Sequence, residues 1–219
     1  MRKLLLLRPE PGLSVSAKRA REMGLEAIAR PLFRIEPVAW AAPDPTSYDA
    51  LLLTSANAIR QGGAQLDTLK SLPVHAVGPA TAAAARGVGF KVETVGDRDV
   101  GDLFDRLSLP LRLLHLAGED HRPLDLSWVD SEIVYRSAEI PQPGLPQLDG
   151  LVVAVHSPRA GARLAALADK RTSTAIAAIS AAAATAAGYG WERVEVAERP
   201  DDPSLLALAA LLCHTSPPK

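Results

Sequence analysis

Apolar positions in this chain fall into short, nearly unbroken runs, separated by longer stretches where they recur every three or four residues. The runs are Leu4 to Leu7, Ala50 to Leu53, Val74 to Val77, Leu111 to Leu116, Leu151 to Val155 and Ala175 to Ile179. Runs of strand length with no polar alternation predict parallel strands covered on both faces. The stretches between them predict helices, among them Ser14 to Met23, closed by Gly24, and Pro158 to Leu167, with Ala162, Leu164, Ala165 and Leu167 at helical spacing. A last helix is expected after Asp202, read as its cap, with Pro203 in its first turn and Leu205, Leu206, Leu208, Leu211 and Leu212 on its apolar side. Such alternation means an α/β fold.

Two segments break the pattern, 31–38 and 132–141, where apolar and polar residues partly alternate as in exposed extended chain. They read as connectors. The rest contains a repeat: residues 51–107 and 152–212 share the order strand, Ser, helix, strand, small-residue turn, Ala-rich helix, Gly-x-Gly, short strand, acidic loop and Leu-rich helix. Ser55 precedes Gly78 by 23 residues, and Ser157 precedes Ser180 by the same 23. Two similar α/β halves are therefore expected. Ligands of such sheets bind beyond the carboxyl ends of the strands, where helix N-termini offer N–H groups and partial positive charge.

Composition narrows the class. With 219 residues, 47% hydrophobic, and no apolar run near the length of a membrane span, the sequence reads as one or two folded domains free of membrane segments. The opening Arg2-Lys3-Leu4-Leu5-Leu6-Leu7 is too short for a signal-peptide core and reads as a first strand, so the expected location is the cytoplasm. The single Cys213 excludes an internal disulfide and a Cys-based metal cluster, in keeping with a reducing compartment. A net charge of −1 supplies no basic field for nucleic acid, so an anionic ligand must be recognised by local groups.

Few residues carry recognisable chemistry. Thr54-Ser55-Ala56-Asn57 and His156-Ser157-Pro158-Arg159 sit at strand-to-helix turns, where each Ser either caps the helix or contacts a ligand. Gly78-Pro79-Ala80-Thr81 opens a helix, either as an ordinary tight turn or as a place where backbone approaches an anion. His115, His121 and His156 lack metal-ligand spacing, and no metal is expected. No Gly-x-Ser-x-Gly elbow or Walker A sequence occurs, and Gly87-Val88-Gly89 lacks the third glycine of a dinucleotide site and reads as a helix end. Tyr135 stands in a connector-like segment beside Arg136, where it either packs at a domain junction or serves a site.

Taken together, Leu5-Leu6-Leu7-Arg8-Pro9, Leu53-Thr54-Ser55-Ala56-Asn57-Ala58, Ala76-Val77-Gly78-Pro79-Ala80-Thr81-Ala82, Val134-Tyr135-Arg136, His156-Ser157-Pro158-Arg159-Ala160-Gly161 and the ending Pro203 to Leu208 resemble, in order and spacing, the uroporphyrinogen-III synthase family. The resemblance covers nearly the whole chain. It implies two flavodoxin-like parallel-sheet domains joined by a two-stranded β linker with a ligand cleft between them: domain 1 from residues 1–34 and 140–219, domain 2 inserted as 39–131, and linker strands at 30–38 and 132–141. It implies hydroxymethylbilane as substrate, a linear tetrapyrrole with eight carboxylates, closed to uroporphyrinogen III with inversion of ring D and loss of water. No cofactor is implied. A monomer is expected, with at most transient contact to hydroxymethylbilane synthase.

By motif, Tyr135 takes the place of the family's tyrosine, a hydrogen-bond or proton donor to the leaving hydroxyl, and Thr81 that of a cleft threonine. The resemblance puts Arg8, Thr54, Ser55, Asn57, Gly78, Arg122, Ser157, Arg159 and Ser180 among the substrate-binding positions. The sequence departs from the family in two places. Ser180-Ala181-Ala182 stands where Gly-Pro-Thr is usual, and the segment from Gly118 to Tyr135 is short, as if a helix were cut down. These departures keep a rival in view: a non-catalytic two-domain binding or regulatory protein closing on an anionic small molecule.

Overall fold

The computed structural model describes residues 1–108 and 110–215. In chain order it contains β1 (Leu4–Leu6), α1 (Gly12–Glu22), β2 (Ala27–Ala29), β3 (Phe33–Pro37), β4 (Ala50–Leu53), α2 (Ala56–Gln61), β5 (Val74–Val77), α3 (Pro79–Gly87), β6 (Val92–Gly96) and α4 (Val100–Phe104). There follow β7 (Leu113–Gly118), β8 (Val129–Glu139), β9 (Val152–Val155), α5 (Pro158–Leu167), β10 (Ala175–Ala178), α6 (Ala181–Ala187), β11 (Arg193–Val196) and α7 (Asp202–His214). The chain divides into two units, residues 1–34 with 139–219, and residues 35–138.

The first unit is a parallel sheet in the order β11-β10-β9-β1-β2, with Leu4 opposite both Ala27 and Val152. Successive strand residues bury on opposite faces. Leu4, Leu6, Val152 and Ala154 pack with Ala17 and Ala20 of α1 and Leu205, Leu206 and Ala209 of α7, while Leu5, Val153, Val155 and Ile176 pack with Leu164 of α5 and Ala183 and Ala187 of α6. Both faces being covered explains the unbroken apolar runs, each large aliphatic side chain contributing about 1.5–3 kcal/mol of burial. Helices α5 and α6 approach unusually closely. A Cβ on Gly161 would lie 2.7 Å from the carbonyl oxygen of Ala183 and 2.9 Å from the nitrogen of Ala187.

The second unit is a sheet in the order β3-β8-β7-β4-β5-β6. Strands β4 to β8 are parallel, and β3 meets β8 through bonds from Val38 N to Val134 O and from Ile140 N to Leu32 O, the descending order of an antiparallel pair. Ala58 and Ile59 of α2 and Ala82 and Ala85 of α3 cover one face. The other is covered by Leu103 of the short α4 and by Phe104 and Trp128, whose rings meet edge-on at 4.8 Å. Residues 119–128, which lead from β7 to the parallel β8, contain no helix.

Three expectations change in detail. The last helix is capped by Asp201, whose side chain accepts from Ser204 N, and Asp202 is its first residue, free to turn to other partners. The segment around 132–141 belongs to an 11-residue strand whose first part, from Val129 to Tyr135, is bonded along β7 inside the sheet. Numbered by order of entry, the first unit has the flavodoxin order 2-1-3-4-5, whereas the second has the same spatial layout entered at its central strand, 5-4-1-2-3 before the edge strand β3. A segment that enters at β4 must add its last two strands on the side of β4 away from β5, and that cyclic shift produces the difference.

Candidate functional site

In each sheet the chain direction of winding reverses at one point, and the crevice beyond the strand carboxyl ends at that point is where such sheets bind ligands. In the second unit it lies between β4 and β7, followed by Thr54-Ser55 and by Gly118-Glu119. In the first it lies between β1 and β9, followed by Leu7-Arg8 and by His156-Ser157.

On the second unit's rim, Ser55 caps α2 by accepting from Asn57 N at 3.2 Å, and the Asn57 side-chain oxygen accepts from Arg60 at 3.2 Å. Gly78 holds φ at +85°, a conformation that favours glycine, and its N–H donates to Gly96 O at 3.0 Å, so that group is not open to a ligand. What Gly78 leaves is a first turn of α3 without any side-chain cap, next to the buried Thr81. Helices α2, α4, α5, α6 and α7 each have such a cap, from Ser55, Asp99, Ser157, Ser180 and Asp201. Uncapped N–H groups at a helix start are an anion site in waiting.

Tyr135 is half-buried, and its ring lies across Gly118: a Cβ there would be 2.5 Å from the ring Cζ and 2.9 Å from the hydroxyl oxygen. The hydroxyl has no hydrogen-bond partner among the described residues, whereas Tyr135 O accepts from Glu119 N at 2.9 Å. Three residues before Gly118 on β7, His115 has its Nε2 2.9 Å from Thr54 Oγ1 and its Nδ1 3.1 Å from Ser131 Oγ. Burial first, and then the neighbouring His121, push the pKa of His115 down to about 4, so its ring is uncharged at neutral pH. The rings of His115 and His121 meet edge-on at 5.5 Å.

On the first unit's rim, Arg8 folds over α1, where a Cβ on Gly12 would lie 2.5 Å from its Nε. Its Nη1 donates to Ser16 Oγ and to Asp202 Oδ1, each at 3.1 Å. Asp202 also accepts from Ser16 Oγ at 2.5 Å, from His156 Nε2 at 3.0 Å and from Arg19. Burial opposes its charge, but the hydrogen bonds from His156 and Ser16 and the adjacent Arg8 outweigh it and hold the carboxyl well below the usual carboxylate range. Ser157 and Ser180 are the caps of α5 and α6, accepting from Ala160 N and Ala183 N. The Arg159 guanidinium stands 4.7 Å over the ring of Phe33. Arg122 is exposed on the 119–128 connection.

Apart from Arg122, the predicted positions thus fall into two sets. Thr54, Ser55, Asn57, Gly78, Thr81 and Tyr135 share one rim, and Arg8, Ser157, Arg159 and Ser180 the other. Three features escaped the sequence: the seat of Tyr135 on Gly118, the buried His115 between two hydroxyls, and the Asp202 cluster. All are made by residues far apart in sequence. Among the described residues no group of three or more His, Cys, Asp or Glu side chains is arranged to hold a metal ion, and no helix is long and apolar enough to cross a membrane.

Residues 14–207 match the sequence family described as "Uroporphyrinogen-III synthase HemD". No curated protein matches in sequence. Among solved structures, the chain is similar to the uroporphyrinogen-III synthetase of Helicobacter pylori, with a TM-score of 0.69 and 17% identity over 97% of this chain and 100% of that one. It is also similar to a mutant uroporphyrinogen III synthase from the extremely thermophilic bacterium Thermus thermophilus, with a TM-score of 0.50 and 18% identity over 96% of this chain and 98% of that one. At such identities the structural likeness speaks for the fold, and the sequence match over residues 14–207 speaks for descent: the chain belongs to the uroporphyrinogen-III synthase family.

Proposed function

We propose that the chain closes hydroxymethylbilane to uroporphyrinogen III, without cofactor or metal, in tetrapyrrole biosynthesis. The observation that carries the reading is Tyr135, held against Gly118 beside the switch point of the second unit with a hydroxyl that has no partner among the described residues. A phenol so placed is a donor waiting for an acceptor. As the substrate's hydroxymethyl C–O bond breaks, charge grows on the departing oxygen, and a hydrogen bond from Tyr135 strengthens with it. The cation left behind is attacked by the substituted carbon of ring D, and the resulting spiro intermediate reopens to reinsert that ring inverted.

The substrate's carboxylates suit the uncapped first turn of α3 beside Thr81 and the guanidinium groups of Arg8 and Arg159, with Thr54, Ser55, Asn57, Gly78, Ser157 and Ser180 lining the turns and Arg122 a further cation on the 119–128 connection. We take the bilane to lie in a cleft between the two units, with β3 and β8 as the linker strands, and the working form to be a cytoplasmic monomer that receives the unstable bilane by transient contact with hydroxymethylbilane synthase. Because the free bilane closes unaided to the uninverted isomer, the protein's task is orientation and charge placement. The test is to generate the bilane with a deaminase, add purified protein without metal or cofactor, oxidise, and resolve the type I and type III isomers. Predominant type III is expected; type I alone at the unassisted rate, from folded protein, would leave ligand binding without catalysis.

A further inference from the structure

We infer that His121 is a positioning residue for Tyr135. The inference rests on the synthase reading for its consequence, but its geometry lies wholly within the second unit. Along β7 and β8, Ala117 pairs with Ile133 and Gly118 with Tyr135, so Val134 is an extra residue and the ladder is irregular at that step. A bulge of this kind re-aims the side chain that follows it. Here that side chain is Tyr135, and the surface it is turned onto is Gly118.

Besides its place in the ladder, Gly118 is held through its carbonyl by one residue. Its carbonyl oxygen accepts from His121 N at 2.9 Å and from His121 Nδ1 at 2.9 Å. A carbonyl only accepts, so Nδ1 carries the proton and the tautomer is set. The His121 ring meets His115 edge-on, and His115 is itself held between Thr54 and Ser131. Beyond Gly118, the Glu119 N–H donates to Tyr135 O at 2.9 Å, closing the bulge. The connection 119–128 has no helix to stiffen it, and the His121 clamp ties its first turn to the strand end. The ring of Tyr135 thus rests on a glycine whose carbonyl the imidazole clamps at the strand end.

The test uses the full chain and the variants His121→Leu, which removes the side-chain donor, His121→Asn, whose amide N–H stands near the place of Nδ1–H, Tyr135→Phe, and His121→Leu with Tyr135→Phe. His121→Leu should lower kcat for the type III product on the order of 10-fold with KM within about twofold, since misplacement of a reacting group is read in turnover. His121→Asn should recover most of that loss, and in the Tyr135→Phe background the His121→Leu change should cost little more, because it acts through the absent hydroxyl. A second readout needs no turnover: the Glu119 amide should exchange with solvent about 10-fold faster in His121→Leu and at the native rate in His121→Asn. Unchanged Glu119 exchange in His121→Leu, or losses that multiply fully in the double variant, would overturn the inference. If the unaltered protein made only type I, the synthase reading would fall by itself, and the exchange result would still decide whether His121 sets the tyrosine's seat.

Discussion

Gly118 has no side chain because an aromatic ring occupies the place a side chain would take. In Gly118→Ala the new methyl would sit 2.5 Å from Cζ of Tyr135, and the ring, the softer partner, must swing away. Turnover should fall on the order of 10- to 100-fold while the circular dichroism spectrum stays native, since an angstrom of misplacement costs that much and the backbone there needs no special φ. Native turnover in the alanine variant would show that the seat is irrelevant. Tyr135→Phe keeps the ring on its glycine and removes only the donor, so it should lower kcat more than it raises KM. Equal kcat in the phenylalanine variant would remove the hydroxyl from the chemistry. Tyr135 and Thr81 could be picked out along the sequence because they stand in local motifs. The roles of Gly118, His115 and Asp202 could not, because a glycine under a ring or a histidine between two hydroxyls is defined by partners 16 to 61 residues away.

The strand and helix pattern, by contrast, was legible nearly throughout, for a physical reason: sheets covered on both faces bury every residue of a strand, and unbroken apolar runs leave no doubt about period. Elements too short to carry a pattern were missed, such as β2 with its three residues Ala27–Ala29. The serines at 55 and 157 are caps, one of the two readings each allowed, and Ser180, for which the sequence suggested no cap, is one as well. In the second repeat the backbone of α6 at Ala183, Ala186 and Ala187 lies directly against Gly161 of α5. Gly161→Ala should therefore destabilise the fold by about 1–3 kcal/mol through overpacking against backbone that cannot rotate away. Ser157→Ala, which removes one cap, should cost only about 1 kcal/mol. Urea denaturation of the two variants checks the ranking, and a Gly161→Ala protein as stable as the parent would refute the close approach.

At the scale of the molecule, two sets of ionisable groups make stability depend on pH in the same direction. An exposed histidine takes up its proton near its ordinary value of 6.5, whereas His115 does so only at about 4. Between these values the unfolded chain binds more protons than the folded one, so stability declines as pH drops through that window, by about 3 kcal/mol for the full shift. His75, lowered by burial, acts with the same sign. Asp202 has a depressed folded value, so its contribution is intact above the ordinary carboxylate value of 3.8 and is lost as pH falls below it. Urea midpoints should therefore fall in order from about pH 7 through about 5.5 and 4 to about 3, and His115→Gln should flatten the upper part of the decline while leaving the part below 3.8. Equal midpoints at pH 7 and 4.5 would contradict this.

The chain order of the first unit has a consequence for how the protein is made. Strand β1 lies in the middle of its sheet, between β2 and β9, yet β9 begins only at Val152. On the ribosome, the four leucines from Leu4 to Leu7 can pair with β2 soon after they emerge, but their other edge stays open until β9 follows, well over a hundred residues later. The second unit, continuous from residue 35 to 138, has its last strand in place at Glu139, before β9, β10 and β11 of the first have been made. The inserted half is thus free to fold during translation, while the half that contains β1 is completed later and exposes a greasy strand edge in the interval, the stage of biogenesis at which chaperone binding and aggregation compete most directly.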